Sequence, residues 1–307
     1  MFKEPIKVME NIDRATEYLH AKNPDKKALH FHHTADRKTY VFDENGFWRL
    51  FNYIPSNTYN VCDDLEVVRN AGNAFGEFQM QLSDFDASRL HYTIPDFHNT
   101  RKRYEKLAED AVADPCGKAR EVQQDLEWLL SMREKACQLT DMYDRGELPL
   151  HVTHNDTKIN NVLFRQNGNK PIVVIDLDTA MPGLVGHDFG DTIRFAANNA
   201  EEDCREDEKA SVNMDVFRAF AEGFLQPLAA TLTQNEIDTL ALSCFVLACE
   251  LATRFWDDYL LGSPDFKTDY PEHNLVRTRC QIALAKDMLA KMDEMNAVVQ
   301  ECVRRYR

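Results

Sequence analysis

The spacing of apolar residues in the first part of the chain changes once, from a helical to a strand-like pattern. Apolar side chains first recur every three or four positions, at Ile6, Met9, Ile12, Ala15 and Leu19. This period predicts an amphipathic helix over residues 4–21. The runs ALHFHH, TYVFD and FWRLFNYI that follow are rich in aromatic and β-branched residues, and the tripeptide ENG between the last two predicts a hairpin turn. We therefore expect a small lobe, residues 1–54, made of one helix and a small antiparallel sheet.

From residue 55 onward the spacing is mainly helical, with one interruption by strands. Helices are expected over 64–82 and 118–144 and, after Gly190, over 212–225, 234–261 and 274–304. Residues 150–178 return to strand-like spacing, in LHVTH and then in NVLFRQNGNKPIVVIDLD, where Asn-Gly-Asn predicts a second hairpin turn. The pattern predicts an α+β fold of two lobes, in which a large, mainly helical lobe, residues 55–307, carries one polar hairpin. Clefts between two such lobes are common ligand sites.

Charge and composition narrow the possible partners. The 307 residues are 44 % hydrophobic, which is enough to bury a substantial core. The net charge of −15 argues against nucleic acid or an anionic membrane as the main partner. No apolar run approaches the ~18 residues needed to span a bilayer. The eight cysteines form no CxxC pair, which is typical of reduced thiols. We expect a cytoplasmic, monomeric protein that binds small molecules.

The stretch HVTHNDTKINNVLF, residues 151–164, concentrates polar side chains between two strand-like ends. Asp156, Lys158 and Asn161 follow one predicted strand and precede the next, so the residues between the strands form a tight loop. Asp176 comes twenty residues after Asp156, at the end of the run IVVID. Because the two strands of a hairpin return their outer ends to the same place, we expect Asn161 to lie near Asp176.

This set of side chains is suited to phosphoryl transfer. An amide oxygen and a carboxylate, from Asn161 and Asp176, are hard ligands that Mg²⁺ accepts while the phosphates of a nucleotide complete its shell. Asp156 is then available to receive a proton from an attacking hydroxyl, and Lys158 supplies positive charge near the transferred group. Asp178 has two interpretations: a second metal ligand or substrate contact, or a purely supporting residue.

The pattern HxDxxxxN followed by a hairpin ending in IDLD resembles the catalytic loop and metal aspartate of the aminoglycoside phosphotransferase and choline kinase branch of the protein-kinase-like fold. The stretches THNDTKINNVLF, IDLDTAMPG, DFGDTIRF and YPEHNLVRTR, with the segment around Arg254 and Tyr259, resemble the N-acetylhexosamine 1-kinases over nearly the whole chain. This resemblance implies ATP as a co-substrate with Mg²⁺, and an N-acetylhexosamine acceptor phosphorylated at its anomeric hydroxyl. It also implies that adenine bonds to the connector formed by Phe51, Asn52, Tyr53 and Ile54.

The resemblance also suggests residues for the acceptor. Arg254 matches the sugar-binding arginine of these kinases, although helical spacing would equally allow an ion pair with Asp257 or Asp258. The letters DFG at 188–190 mark the metal aspartate of protein kinases, but they lie beyond the hairpin, so we assign the metal to Asp176. Two residues of DFGDTIRF, Asp188 and Arg194, are candidate substrate residues. The alternative is that Asp188 and Asp191 brace the catalytic loop or cap the helix that follows. Asp265 stands where related enzymes carry an aromatic residue, which leaves the choice between gluco and galacto epimers open.

One departure from the family pattern concerns the small lobe. No glycine-rich element precedes residue 46, and the strands that carry it in kinases, roughly fifty residues, are missing. Either Met1 is an internal start or the chain is a truncated homologue. We expect an incomplete small β lobe whose uncovered sheet edge favours instability or association. Three functions stay open: an N-acetylhexosamine kinase, a kinase for choline or an aminoglycoside, and a non-catalytic homologue that binds sugar or a protein partner.

Overall fold

The computed structural model describes residues 3–24, 29–60 and 64–307. The helices in this part of the chain are α1 Pro5–Lys22, α2 Leu65–Gln81, α3 Thr100–Ala113, α4 Gln123–Ser131, α5 Arg133–Ala136, α6 Gln138–Asp144, α7 Val185–Ala196, α8 Met214–Leu228, α9 Gln234–Leu260, α10 His273–Ala290 and α11 Met292–Tyr306. The strands are β1 Val41–Asp43, β2 Gly46–Trp48, β3 His151–Thr153, β4 Val162–Phe164, β5 Pro171–Val174 and β6 Met181–Gly183. They form three antiparallel pairs, β1 with β2, β3 with β6 and β4 with β5. The predicted α+β composition is confirmed, and no described helix is long and apolar enough to cross a bilayer.

The small lobe contains the predicted helix and hairpin, with less strand than expected. Helix α1 starts at Pro5, whose fixed φ suits the first helical turn, and buries apolar residues on one face. Asp43 accepts hydrogen bonds from the backbone N–H groups of Asn45 and Gly46, which closes the turn between β1 and β2. The predicted strand in ALHFHH is reduced to a single bridge between Phe31 and Phe51.

The hairpin of the small lobe exposes much apolar surface. Within the described residues β1 and β2 pair only with each other, so both outer edges are open. The large apolar side chains exposed between residues 41 and 53 are Val41, Phe42, Trp48, Leu50, Phe51 and Tyr53. The expected uncovered edge is therefore present in this part of the chain.

Helix boundaries in the large lobe differ from the prediction in three places. The segment 118–144 is broken into α4, α5 and α6, because Met132 and Cys137 adopt ψ near −2°, which tightens the backbone into turns. The segment 274–304 is divided at Lys291. Helix α7 begins at Val185, well before Gly190, although its glycines weaken helical propensity. Tertiary packing explains this helix, because a Cβ at Gly190 would lie 2.6 Å from the carbonyl oxygen of Ser243 in α9.

Two helices of the large lobe cross with their backbones in direct contact. Glycines at the crossing of α2 and α8 allow this approach, namely Gly72, Gly76 and Gly223. A Cβ at any of them would overlap a backbone carbonyl oxygen of the facing helix, that of Arg69 in the case of Gly223. The crossing holds α2 against the hairpin β4–β5, which carries the polar residues predicted to be functional.

A buried polar cluster lies between α9, α7 and the segment before α3. Glu250 accepts hydrogen bonds from Nδ1 of His98 at 2.9 Å and from the hydroxyl of Thr100 at 2.8 Å. Burial alone would raise the pKa of Glu250, but these partners hold it at about 2. The ring of His187 packs 4.5 Å from that of His98, and burial lowers the pKa of His187 to about 3. His187 is therefore neutral in the folded protein at neutral and mildly acidic pH.

We predict that Gly223→Ala destabilises the fold by about 1–3 kcal/mol, because the added Cβ overlaps backbone that cannot move without separating α2 from α8. Urea unfolding measures this change. The matched control is Gly186→Ala, whose Cβ would have side-chain atoms as its nearest neighbours, the first being Cβ of Ser243 at 3.0 Å, so a smaller loss is expected. Helix propensity alone would make both variants more stable by up to about 1 kcal/mol, and a stabilised Gly223→Ala protein would contradict the packing argument.

A second prediction concerns pH. Between its unfolded pKa of 6.5 and its folded pKa of about 3, His187 binds a proton only in the unfolded chain. Its contribution to stability is therefore complete above pH 6.5 and falls with decreasing pH by about 1.4 kcal/mol per unit. We expect His187→Asn to reduce the slope of the unfolding free energy against pH in this window by an amount equivalent to the uptake of close to one proton. An unchanged slope in His187→Asn would show that His187 is already protonated in the folded state.

Candidate active site

The candidate site is built on a loop, residues 154–161, held between strands of two different pairs. Strand β3 precedes the loop and pairs with β6, and β4 follows it and pairs with β5. Val162 lies opposite Val174, and the backbone N–H of Ile175 donates to the carbonyl oxygen of Asn161 at 2.8 Å. The expected proximity of Asn161 and Asp176 is confirmed by this register, since Asp176 follows Ile175 directly.

A buried carboxylate, that of Asp188 in α7, fixes the start of the loop. It accepts hydrogen bonds from the backbone N–H groups of His154 at 2.9 Å and Asn155 at 2.7 Å, and from the side-chain amide of Gln79. Asn155 has a left-handed backbone, with φ of +62°, a conformation that must be held by its surroundings. The bracing interpretation of Asp188 is correct. Substrate contact stays a prediction for this residue, and its buried side chain, bonded to the loop, does not favour it.

Helix capping by Asp188 and Asp191 is also wrong. Both residues lie inside α7, which begins at Val185. The helix instead supports the loop through further contacts, since the hydroxyl of Thr157 donates to the carbonyl oxygen of Asp188 and that of Thr192 donates to the carbonyl oxygen of Thr157, both at 2.7 Å. The backbone of the loop is therefore bonded to one rigid helix.

The side chain of His154 is a structural part of the loop. Its Nε2 bonds to the carbonyl oxygen of Ile175 at 2.8 Å, and its ring packs edge-on against Phe75 and Phe78 of α2. The imidazole is fully buried. It therefore links the loop to the end of the hairpin and to the α2–α8 crossing.

Asp156 and Lys158 lie side by side at the surface of the loop. Nζ of Lys158 is 3.0 Å from Oδ1 of Asp156, and both side chains are partly exposed. The side-chain Nδ2 of Asn161 donates to the backbone carbonyl oxygen of Asp156 at 2.9 Å and to Oδ2 of the same residue at 3.3 Å. This orientation leaves Oδ1 of Asn161 as the amide atom that can ligate a cation.

Asp176 has the properties of a metal ligand. Its backbone is left-handed, with φ of +60°, a conformation tolerated by Asp more readily than by most residues. Burial raises the pKa of Asp176, and the negative charges of Asp178 and Asp156 raise it further. Mutual repulsion of neighbouring carboxylates is relieved by a bound cation. Together with the amide oxygen of Asn161, this arrangement fits a hard divalent ion such as Mg²⁺.

Asp178 is engaged by a residue that the sequence did not single out. Arg49, directly after β2 in the small lobe, forms a bidentate ion pair with it: Nη2 donates to Oδ2 at 3.0 Å and Nη1 donates to Oδ1. Asp178 is therefore occupied by a cation from the other lobe. The sequence signal that could have identified Arg49 is that it is the lone basic residue in the apolar run FWRLFNYI.

The residues predicted to bind adenine form an extended connector. They are Phe51, Asn52, Tyr53 and Ile54, of which all but Ile54 are exposed. The backbone N–H of Asn52 donates to the carbonyl oxygen of His30 at 3.2 Å. Farther along, the backbones of Asn57 and Phe164 exchange two hydrogen bonds at 2.9 Å. The chain just after the connector thus runs beside β4, the strand that begins just after Asn161.

Arg254 lies at a separate cavity of about 750 Å³ that it lines together with Phe266, Arg103 and the segment 93–95. Its guanidinium sits over the rings of Phe97 and Phe266, with centroids 5.7 and 5.4 Å away. Burial lowers the pKa of Arg254. The side chain forms no ion pair within the described residues.

The predicted alternative for Arg254, a helical ion pair with Asp257 or Asp258, is wrong. Asp257 pairs with Lys106 at 3.2 Å. Asp258 accepts from the backbone N–H groups of Asp265 and Phe266 and from the Asn274 side chain. Both carboxylates therefore have other partners.

Arg194 is placed differently from Arg254. It pairs with Asp191 at 2.9 Å and with Glu202 at 2.8 Å, and its side chain is almost entirely buried. Substrate contact was predicted for Arg194, and the structure does not favour it, because all three guanidinium nitrogens already donate to carboxylates.

Sequence reasoning also missed Gln79 and Arg103. Gln79 is a polar residue at a buried position of the apolar face of α2, which is a signal for a buried partner. Arg103 gave no such signal, since one basic residue on an exposed helix is common. It becomes notable only in three dimensions, because it shares a cavity with Arg254.

Comparisons with known proteins agree with this geometry. The sequence profile of the Phosphotransferase enzyme family matches residues 7–223, more than half of the chain. An aminoglycoside phosphotransferase from Alicyclobacillus acidocaldarius has a similar structure, with a TM-score of 0.62 at 14 % identity over 97 % of this chain and 84 % of that chain. A microcompartment-associated aminopropanol kinase gives a TM-score of 0.61 at 14 % identity over 92 % of this chain and 82 % of that chain.

A third structure, an amicoumacin kinase in complex with AMP-PNP, Ca²⁺ and Ami, gives a TM-score of 0.57 at 12 % identity over 90 % of this chain and 76 % of that chain. At such identities the likeness shows the fold alone, and it confirms the predicted two-lobed kinase-like architecture. The match of the sequence profile goes further, and on that basis the chain belongs to the Phosphotransferase enzyme family.

Proposed function

We propose that this protein transfers the terminal phosphoryl group of ATP to the anomeric hydroxyl of an N-acetylhexosamine. The nucleotide binds between the lobe of residues 1–54 and that of residues 55–307, with adenine against the backbone of the connector 51–54. The single observation that supports the choice of acceptor is Arg254, an arginine without a carboxylate partner in the described chain, at a cavity large enough for a monosaccharide.

The loop supplies the groups that phosphoryl transfer requires. Asp156 orients the acceptor hydroxyl and takes its proton late in the reaction, and Lys158 compensates negative charge on the transferred group. Asn161 and Asp176 would hold Mg²⁺, which screens the phosphates and fixes their position. The bracing by Asp188 keeps Asp156 in place, because phosphoryl transfer depends mainly on positioning.

The charges around the cavity favour an oxygen-rich acceptor. Arg254 is joined there by Arg103, whose Nη2 has one long hydrogen bond, to the carbonyl oxygen of Phe97 at 3.4 Å, and whose buried Nε has none in the described part of the chain. A cationic group placed about 4 Å from a guanidinium would be repelled by about 4 kcal/mol at an effective dielectric constant of about 20. Hydroxyl and acetamido oxygens would instead accept hydrogen bonds from both arginines.

The second candidate acceptor is a cationic alcohol such as choline or an aminoglycoside. It is favoured by three aspartates that line the same cavity, Asp257, Asp258 and Asp265. Two of them are compensated: Lys106 pairs with Asp257, and backbone N–H groups donate to Asp258. Burial raises the pKa of Asp257 to about 7, which weakens its charge further. The balance therefore favours the sugar.

The test of catalysis is ADP release from Mg·ATP with N-acetylglucosamine, N-acetylgalactosamine and choline as parallel acceptors. We expect sugar-dependent turnover that falls at least ~100-fold in Asp156→Asn, because the variant loses the base that orients and deprotonates the hydroxyl. The control is Asp293→Asn, which removes an exposed carboxylate in α11. A well-folded protein that turns over no acceptor, or an Asp156→Asn variant with unchanged rate, would refute the proposal.

A second test concerns the acceptor site. Arg254→Gln is expected to raise KM for the sugar by about 10- to 100-fold, the effect of losing hydrogen bonds from a charged donor, while KM for ATP stays the same. Arg218→Gln, at an exposed ion pair on α8, serves as the control. If KM for the sugar is unchanged in Arg254→Gln, or if the native protein turns over choline in preference to either sugar, the sugar assignment is wrong.

A further inference from the structure

Arg49 connects the small lobe to the segment that carries the metal aspartate. It follows β2 directly, whereas Asp178 lies two residues after Asp176 in the large lobe. The two hydrogen bonds of the pair align the guanidinium with the carboxylate in a fork geometry. Arg49 also lies over the ring of Phe31, 5.8 Å from its centroid. The guanidinium is thus held beside the candidate metal site by two different contacts.

The charges at this end of the cleft are not balanced within the protein. The charges of Asp156 and Asp178 both act on Asp176. The ion-pair partners of these three carboxylates in the described chain are Lys158 on Asp156 and Arg49 on Asp178. Arg49 is close enough for its positive charge to act on Asp176. A metal on Asp176 would bring the phosphates of the nucleotide to the same place. The guanidinium of Arg49 would then lie within reach of those phosphates.

We propose that Arg49 is a phosphate-binding residue of this protein, which rests on Asp178 in the absence of nucleotide and transfers its hydrogen bonds to the phosphates of Mg·ATP when it binds. The inference rests on the proposed function, because it takes the ATP site to be where Asp176 lies. A planar guanidinium binds phosphate oxygens in the same bidentate geometry as carboxylate oxygens, so one side chain can exchange between the two. Asp178 is then a resting partner for Arg49 and not a second metal ligand.

The partial exposure of the pair is compatible with this exchange. The Arg49 side chain is 30 % exposed and that of Asp178 is 22 % exposed. An ion pair with access to water costs little to open, whereas a fully buried pair would resist opening. Because Arg49 belongs to the small lobe, its move onto the nucleotide would also join that lobe to the bound phosphates.

Nucleotide binding without acceptor, measured by titration calorimetry with Mg·ATP, Mg·ADP and adenosine, tests this proposal. We expect Arg49→Gln to weaken binding of ATP and ADP about tenfold or more, because a charge-assisted contact is lost. Arg49→Lys should weaken binding less, because lysine keeps the charge and loses only the bidentate geometry. Adenosine, which has no phosphates, should bind with unchanged affinity. The matched control is Arg37→Gln, at an exposed turn of the small lobe. Equal weakening of ATP and adenosine binding, or none, would overturn the proposal.

A double-mutant cycle with Asp178→Asn separates phosphate binding from simple pairing. If Arg49 binds phosphate, its loss weakens ATP binding in the Asp178→Asn background as well, and Asp178→Asn alone binds ATP at least as tightly as the native protein. If Arg49 acts only through Asp178, the effect disappears in that background and the proposal is wrong. A raised Mg²⁺ requirement in Asp178→Asn would make Asp178 a metal ligand and would equally overturn it. Turnover of Asp156→Asn tests the proposed function separately, since these titrations need no catalysis.

Discussion

The candidate site depends on the buried carboxylate of Asp188. Two backbone N–H groups of the loop before Asp156 point into the protein, and Asp188 is the acceptor for both. Without it, these donors would be buried without partners, and the left-handed conformation of Asn155 would be held only by its side-chain bonds, such as that to the carbonyl oxygen of Thr179. The position of Asp156 at the surface is thus a consequence of an interaction beneath it. A reaction that relies on positioning can be lost by disturbing this support as well as by removing the reacting groups.

The place of Asp188 depends in turn on close helix packing. Helix α7 approaches α9 through Gly190, and α2 approaches α8 through Gly72, Gly76 and Gly223. Helix α2 contributes Gln79 to the same carboxylate, so both contacts converge on Asp188. The letters DFG in this chain therefore serve packing: the aspartate binds backbone, the phenylalanine is buried, and the glycine allows two helices to touch. The same letters in protein kinases have a different role, since their aspartate holds Mg²⁺.

Much of the fold and part of the site could be predicted from the sequence. Hydrophobic spacing and turn residues gave the helix at the start, the two hairpins and the proximity of Asn161 to Asp176, because these depend on local geometry. The start of α7 could not be predicted, since its glycines are explained only by contact with α9. The partners of Arg49 and Arg254 depend on which charges meet across long separations, as between Arg49 and Asp178. Charge pairing of this kind leaves no local pattern in a single sequence.

The two proposed ends of the site, the metal end and the acceptor end, differ in charge within a protein of net charge −15. At the metal end, carboxylates outnumber their cationic partners. At the acceptor end, Glu250 lies one helical turn before Arg254, but its two oxygens accept hydrogen bonds from His98 and Thr100, and it forms no ion pair with Arg254 in the described chain. The buried cluster thus has a role beyond stability. Arg254 lines the cavity without a carboxylate partner in the described chain, so under the proposed function recognition of an oxygen-rich acceptor depends on the His98–Glu250 pair.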